Sequence, residues 1–264
     1  MCGRFTSSTP PGQLAKYFGA HAPTEELIEA AKDRGGNFNV APTQGVYTIY
    51  EDGGLRRLDT FHWGLVPFWA KDPKVGNRMI NARSETLAEK NSYKRPFARK
   101  RCIVPADGFY EWKKIEGQKK KQPMFMSRAD GEPFAFAGLW EVWKDRNHTD
   151  DEGEPLELFS CTIITCDSND KIAEVHDRMP VMLAPDTWDS WLDRDNQDIE
   201  SVQRFLVPAP SELIKIHPVS TAVNNVANNS PELVAEFDPL EGEVTRGADP
   251  IATYSSKPAR SLRS

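Results

Sequence analysis

The second residue of the chain, Cys2, is a candidate nucleophile of an uncommon kind. If Met1 is removed, as is usual before a small residue, Cys2 presents an α-amine and a thiol on neighbouring carbons. The reference pKa of such an amine, about 8 against about 10.4 for lysine, makes its neutral fraction near pH 7.5 larger by on the order of 10². The amine can form an imine with an aldehyde, and the thiol can then close a thiazolidine ring. Taken alone, however, a cysteine at position 2 is more often a packing residue.

Two further segments carry polar groups at spacings that suit a reaction site. In INARSET, Asn81 and Arg83 lie two residues apart and would share one face of a strand. Asn81 could orient a nucleophile, and Arg83 could bind a phosphate with its forked guanidinium. In ADGFYEW, Glu111 lies beside Trp112, where partial burial would raise its carboxyl pKa toward the range useful for proton transfer. The plainer interpretations are a strand-end cap for Asn81, a solvated charge for Arg83 and an ordinary strand glutamate for Glu111.

A fourth segment, HDRMPVML, places His176 directly before Asp177 and Arg178 at the entrance to an apolar strand. An imidazole there could exchange protons near neutral pH. A single histidine is more often structural, for example bonded to a turn carbonyl. The four segments together therefore predict proton transfer around Cys2, with each segment retaining a structural alternative.

Strand-like patterns dominate the elements that must position these residues. We predict strands at 46–50, 102–112, 123–128, 134–143 and 158–166, and helices at 9–18, 23–33, 185–193 and 197–206. The polar segment Asp145 to Pro155 is predicted to be a surface loop. The fold class is α+β: one domain at 2–235, a curved, mostly antiparallel sheet or open β-barrel with flanking helices, followed by a disordered tail at 236–264.

Composition limits the function classes. No apolar run approaches the roughly 20 residues that span a bilayer, and the first residues do not resemble a secretory signal, so we expect an intracellular protein. The four cysteines lack metal-ligand spacing, which predicts reduced thiols, no metal and no cofactor. The net charge is -6, yet residues 1–128 carry 22 Lys+Arg against 13 Asp+Glu. A positive face that binds nucleic acid is thus compatible with an acidic chain.

Several blocks of the sequence, in order, resemble one known family over residues 2–235. They are CGRF at 2–5, FNVAP at 38–42, WGLVPFW at 63–69, NARSET at 81–86, the run 102–112, HDRMP at 176–180, and HPVS at 217–220 followed by VNNVANN. The chain is similar to the SRAP family, the SOS response-associated peptidase or abasic-site processing proteins. The resemblance implies that Cys2 forms the crosslink and that Asn81, Glu111 and His176 complete the active site. It also implies a nucleic-acid surface lined by Arg4, Asn39, Arg83, Trp112 and Arg178.

The resemblance and the residue chemistry lead to one expected function in the DNA damage response. Cys2 would bond to the ring-opened aldehyde of an abasic site in single-stranded DNA, a lyase-type reaction, while Trp69 or Trp112 would stack on a neighbouring base. Three alternatives remain open at this point. They are an N-terminal nucleophile hydrolase, a thiol peptidase that removes its own Met1, and a binding module that forms no covalent bond. Protein partners and the segment 145–157 stay uninterpreted.

Overall fold

The computed structural model describes residues 2–238, except the side chains of Asp33, Arg34 and Arg146. The predicted tail at 236–264 lies almost entirely outside the described residues. The strands are Phe5–Ser7 (β1), Asn37–Val40 (β2), Gly45–Asp52 (β3), Leu55–Trp63 (β4), Asn81–Arg83 (β5), Arg101–Ala106 (β6), Gly108–Lys113 (β7), Gln122–Arg128 (β8), Phe134–Thr149 (β9), Pro155–Asp167 (β10), Arg178–Pro180 (β11) and Ile214–Pro218 (β12). The α-helices are Pro11–Phe18 (α1), Glu25–Arg34 (α2), Asn91–Arg99 (α3), Asp170–Ala173 (α4), Trp188–Leu192 (α5) and Ile199–Gln203 (α6).

Five of the strands close into a barrel. Their order is β10-β4-β3-β6-β9, and the pairing of β9 with β10 joins the two ends. The last part of β10 continues past the barrel, where it pairs in parallel with β5 and antiparallel with β11. Closure satisfies the backbone donors and acceptors that an open sheet would leave at its edges. The expected α+β, mostly antiparallel fold is confirmed, although the barrel is closed rather than open.

The remaining strands form a second antiparallel sheet in the order β12-β8-β7-β1-β2. Aromatic side chains join this sheet to the barrel in one core. Phe5 of β1 meets Trp63 of β4 edge to face at 5.0 Å, and Phe109 of β7 meets Phe136 of β9 at 5.8 Å. All four side chains are fully buried. Edge-to-face pairs add to the burial of apolar area, so the two sheets form one domain.

Two sequence-based predictions about strands were wrong. The expected single strand at 102–112 is two strands, β6 and β7, because Asp107 turns the chain between them. The Asp107 carboxylate accepts hydrogen bonds from the backbone N–H groups of Ser8 and Thr9 at 2.5 and 3.0 Å. The predicted loop 145–155 is mostly strand, since β9 runs to Thr149 and β10 begins at Pro155.

The helices pack outside the barrel, and one buried cation anchors two of them. The guanidinium of Arg101 is 1% exposed and stacks on Trp191 of α5, with 5.8 Å between the cation and the ring. It donates hydrogen bonds to the main-chain carbonyls of Phe97, Ala98, Trp191, Asp193 and Asn196. Burial lowers the pKa of Arg101 to about 10, so it stays charged at neutral pH. No helix among the described residues is long and apolar enough to cross a membrane.

Candidate active site

Cys2 lies three residues before the start of β1, at the junction of the two sheets. Its side chain is fully buried, and its main-chain carbonyl accepts a 2.8 Å hydrogen bond from Nδ2 of Asn81. Asn81 is the first residue of β5, which pairs with the extension of β10 through Ile163. The Oδ1 atom of Asn81 is buried and has no hydrogen-bond partner in the described part of the chain. Asn81 thus holds the Cys2 backbone with one end of its amide and offers an acceptor with the other.

Glu111 reaches Cys2 from the neighbouring strand. β7 runs antiparallel to β1, with Phe109 opposite Phe5 and the Tyr110 N–H bonded to the Arg4 carbonyl at 2.9 Å. This register brings Glu111 level with the residues that precede β1. Its side chain is 3% exposed, and burial raises its carboxyl pKa. The Glu111 carboxylate also adds to the larger effect of burial in raising the pKa of the Cys2 thiol, which places the two groups within electrostatic reach.

His176 completes the group from the turn between α4 and β11. Its positive charge lowers the pKa of Glu111, against the larger opposite effect of burial, so it lies within electrostatic reach of that carboxyl. Ring atom Nδ1 accepts the Arg178 backbone N–H at 3.0 Å and lies 2.8 Å from Oδ1 of Asp177. Each of the four predicted active-site residues therefore contacts, or lies within electrostatic reach of, another member of the group.

The two predicted phosphate ligands on this face differ in their surroundings. Arg83 is exposed and shares the Asn81 face of β5. Arg178 is 11% exposed and donates to Glu85 at 2.7 and 3.0 Å, to Asp167 at 2.6 Å and to the Thr165 carbonyl at 2.7 Å. Burial acts to lower the pKa of Arg178, yet the two carboxylates raise it overall. Its Nε atom is buried without a partner among residues 2–238.

Three other predicted DNA-binding residues, Arg4, Asn39 and Trp112, contact residues 221–229, which we call the asparagine strap. Nη1 of Arg4 donates to Oδ1 of Asn39 at 2.6 Å and to the Val223 carbonyl at 2.8 Å. The indole N–H of Trp112 donates to Oδ1 of Asn224 at 2.7 Å, and the Arg4 cation lies 5.9 Å from the Trp112 ring. Arg4 and Trp112 remain partly exposed beside the strap.

Asn39 is buried beneath the asparagine strap. Its side chain is 1% exposed, and Nδ2 donates to three strap carbonyls, those of Val223, Asn225 and Asn228, at 3.3, 3.0 and 2.8 Å. Three carbonyls converging on one amide fix the course of the strap. Asn39 therefore supports the strap from inside the fold, and its place among the DNA-binding residues, which the family resemblance implied, stays a prediction.

Trp69 is 54% exposed in the connection between β4 and β5. The sequence did not single out its neighbour Phe68, which is 49% exposed, or Arg95 of α3, whose cation lies 4.6 Å above the Phe68 ring. The sequence feature that could have indicated Phe68 is the pair of consecutive aromatic residues, Phe68 and Trp69, before a polar segment. No group of three or more His, Cys, Asp or Glu side chains suited to a metal occurs among the described residues.

The chain is similar to several known proteins. The family described as SOS response associated peptidase (SRAP) matches residues 1–226. The abasic site processing protein YoqW of Bacillus subtilis is 42% identical over 234 residues, covering 89% of this chain and 99% of that protein. YedK of Escherichia coli, also named an abasic site processing protein, is 34% identical and covers 89% of this chain and 99% of its own. HMCES of Gallus gallus, with the same description, is 37% identical and covers 78% of this chain and 64% of its own.

Solved structures share the fold. A protein from Bacteroides thetaiotaomicron superimposes with a TM-score of 0.76 at 24% identity, covering 89% of this chain and all of that one. A phage-related protein from Bordetella bronchiseptica gives a TM-score of 0.61 at 27% identity, covering 83% of this chain and 94% of its own. With a family match over most of its length and relatives above 40% identity, this chain belongs to the SOS response associated peptidase (SRAP) family.

Proposed function

We propose that this protein processes abasic sites in single-stranded DNA by bonding Cys2 to the aldehyde of the ring-opened sugar. The observation that carries the proposal is the clustering of Asn81, Glu111 and His176 around Cys2, from three other parts of the chain. The named relatives supply the substrate class, because they are described as abasic site processing proteins. An abasic deoxyribose is an aldehyde when open, and a 1,2-aminothiol is suited to capture it.

The chemistry proceeds in three steps after removal of Met1. His176 passes a ring proton to the sugar ring oxygen O4′ as the C1′–O4′ bond breaks, and it takes back the proton that the C1′ hydroxyl loses in becoming the aldehyde. The Cys2 amine then attacks C1′, and loss of one water molecule gives the imine. Finally the thiol adds across the C=N bond, so that sulfur joins C1′ and the thiol proton ends on nitrogen. Glu111 accepts and returns the amine protons in the last two steps.

The environment of the thiol favours this order over the action of a thiol peptidase. A peptidase cysteine attacks as a thiolate, and its site lowers the pKa of that cysteine. Here burial, assisted by the charge of Glu111, raises the pKa of the Cys2 thiol. A protonated thiol is a poor first nucleophile, yet it can add to an imine already formed beside it. Removal of Met1 is the one peptide-bond cleavage that the proposal requires.

The surrounding cations and rings fit an unpaired strand. In this proposal Arg83 and Arg178 hold phosphates on one side of Cys2, Arg4 and Trp112 border the other side, and Trp69 stacks on a base. Arg178 would exchange part of its contact with Glu85 and Asp167 for a phosphate, using the partnerless Nε donor. C1′ in an intact duplex lies inside the base stack, so single-stranded DNA is the natural substrate.

Intact-protein mass spectrometry after incubation with a single-stranded abasic oligonucleotide tests the proposal. We expect loss of Met1 together with a mass increase equal to the oligonucleotide minus one water, and a band that survives a denaturing gel. A Cys2→Ser variant should form only an imine that is lost on heating unless it is reduced with borohydride. Binding that disappears on denaturation with wild-type protein would leave only a non-covalent binding module and refute the proposed chemistry.

A further inference from the structure

Residues 64–79 of the connection between β4 and β5 are held at their base by hydrogen bonds from main-chain N–H groups; we call this segment the aromatic arm. The N–H groups of Gly64, Leu65 and Val66 donate to the Cys161 carbonyl, the Met79 carbonyl and Ser160 Oγ at 2.9, 3.1 and 2.8 Å. Gly64 and Gly76 approach so closely that a Cβ on either would lie 2.5 Å from the carbonyl oxygen of the other. The base of the arm is therefore rigid, and the chain leaves it two residues before Asn81.

The tip of the aromatic arm is held from a different element. A turn closes between the Pro67 carbonyl and the Ala70 N–H at 2.8 Å. The Ala70 carbonyl in turn accepts a 2.7 Å hydrogen bond from the indole N–H of Trp143, on the part of β9 that leaves the barrel. Trp143 is 8% exposed, so this bond is shielded from water. Between Pro67 and Ala70, Phe68 packs under Arg95 while Trp69 keeps its face open to solvent.

We infer that Trp143 is a positioning residue that holds Trp69 ready to stack on the nucleobase beside the abasic site. The inference rests on the proposed function. A stacking ring on a mobile loop would lose conformational freedom on binding, which weakens affinity, whereas a ring fixed in advance avoids that loss. Because Leu65 at the start of the arm bonds to Met79 at its end, two residues before Asn81, a base held on Trp69 would place the adjoining sugar near Cys2.

The test is a double-mutant cycle between Trp143→Phe and Trp69→Ala. Dissociation constants are measured with a single strand that carries a tetrahydrofuran abasic analogue, which cannot crosslink. Loss of one hydrogen bond at the arm should raise Kd about three- to tenfold, and loss of the stacking ring should raise it by about tenfold or more. The double variant should bind no more weakly than Trp69→Ala alone.

Trp140→Phe is the matched control. Trp140 lies on the same strand and is 5% exposed, but its indole N–H has no hydrogen-bond partner in the part of the chain that the structure describes. The same substitution there should leave Kd unchanged. If Trp143→Phe lowers the melting temperature more than this control, benzothienylalanine at position 143 removes the N–H and retains the shape.

The possible outcomes separate the two proposals. If Trp69→Ala leaves Kd unchanged, base stacking in the proposed function is refuted. If Trp69→Ala weakens binding while both Trp143 variants bind like wild type, only the positioning role is refuted. Additive losses in the double variant would also overturn it, because Trp143 would then act on affinity without Trp69. A non-additive cycle supports positioning.

Discussion

Glu111→Gln should affect activity and stability in opposite directions. The side chain is 3% exposed, and burial raises its carboxyl pKa above 4.5. Glutamine keeps the size of glutamate and much of its hydrogen bonding, but it carries no charge and accepts no proton. The substitution therefore removes the proposed base and the unfavourable burial of the carboxylate that forms when Glu111 ionises.

The sign of the stability effect follows from proton linkage. A carboxyl whose pKa rises on folding contributes stability that is complete below its unfolded pKa and is lost as the pH rises through its folded pKa. Each unit of that rise corresponds to about 1.4 kcal/mol of unfolding free energy. Glutamine does not ionise, so Glu111→Gln does not lose this stability as the pH rises. Its melting temperature should equal that of wild type near pH 4 and exceed it at pH 8. The difference should grow between these limits and then level off.

The rate of crosslinking should fall in Glu111→Gln, whereas the stability rises. Loss of one general base typically costs on the order of 10² in rate, so single-turnover crosslinking by Glu111→Gln should slow by about that factor. Affinity for an uncleavable abasic analogue should change little, because the carboxyl is buried. Glu116→Gln, an exposed glutamate in the connection between β7 and β8, serves as the control and should change neither property.

Three results would refute this reasoning. A melting-temperature difference independent of pH would mean that Glu111 carries no burial cost. An unchanged crosslinking rate would remove Glu111 from the chemistry. Equal losses of rate and affinity would mean that Glu111 holds the DNA or the fold, and the assignment as a base would be withdrawn.

Four further outcomes are expected. Acetylating the α-amine of Cys2 should abolish crosslinking because an amide cannot form the imine, and an adduct on intact-mass analysis would contradict this. Arg83→Ala should lower the slope of log Kd against log salt by about 0.7, as one lost phosphate contact requires, and Arg178→Ala should do the same; unchanged slopes would exclude both contacts. His176→Ala should slow capture of a closed-ring abasic site more than that of an open aldehyde, measured in single turnovers. Arg101→Met leaves five carbonyls without their donor and should lower the unfolding free energy by about 3–5 kcal/mol in denaturant titrations.

The sequence could predict the chemical groups of the site because their types alone limit what they can do. Cys2 at the start of the chain indicated an aminothiol, and the spacing of Asn81 and Arg83 indicated one face of a strand, where β5 places both. The surroundings of each group depend on pairings between distant segments, which no local pattern contains. For this reason the burial of Asn39 and the two carboxylates that hold Arg178 were not predicted.

The same reason accounts for the elements that were missed. β4, Leu55–Trp63, has few apolar residues in its first half, and it is recognisable as a strand only beside β3 and β10. α3, Asn91–Arg99, contains Pro96, which argues against a helix interior. It is held instead by Phe97 in the core and by the bonds from Arg101 to its last turn. Tertiary contacts outweigh local preference in both cases.

The position of Cys2 relative to Asn81 is set by the core between the two sheets. Cys2 precedes β1 of the second sheet, and Asn81 belongs to β5, which extends the barrel sheet. Phe5, three residues after Cys2, packs against Trp63, and the indole N–H of Trp63 donates at 2.9 Å to the carbonyl of Ile80, directly before Asn81. These buried contacts connect the segment that carries Cys2 to the segment that carries Asn81, the two partners of the hydrogen bond. The packing that stabilises the domain is thus the same packing that holds the Cys2 nucleophile against the Asn81 amide. Because of it, Cys2 and Asn81 cannot shift independently.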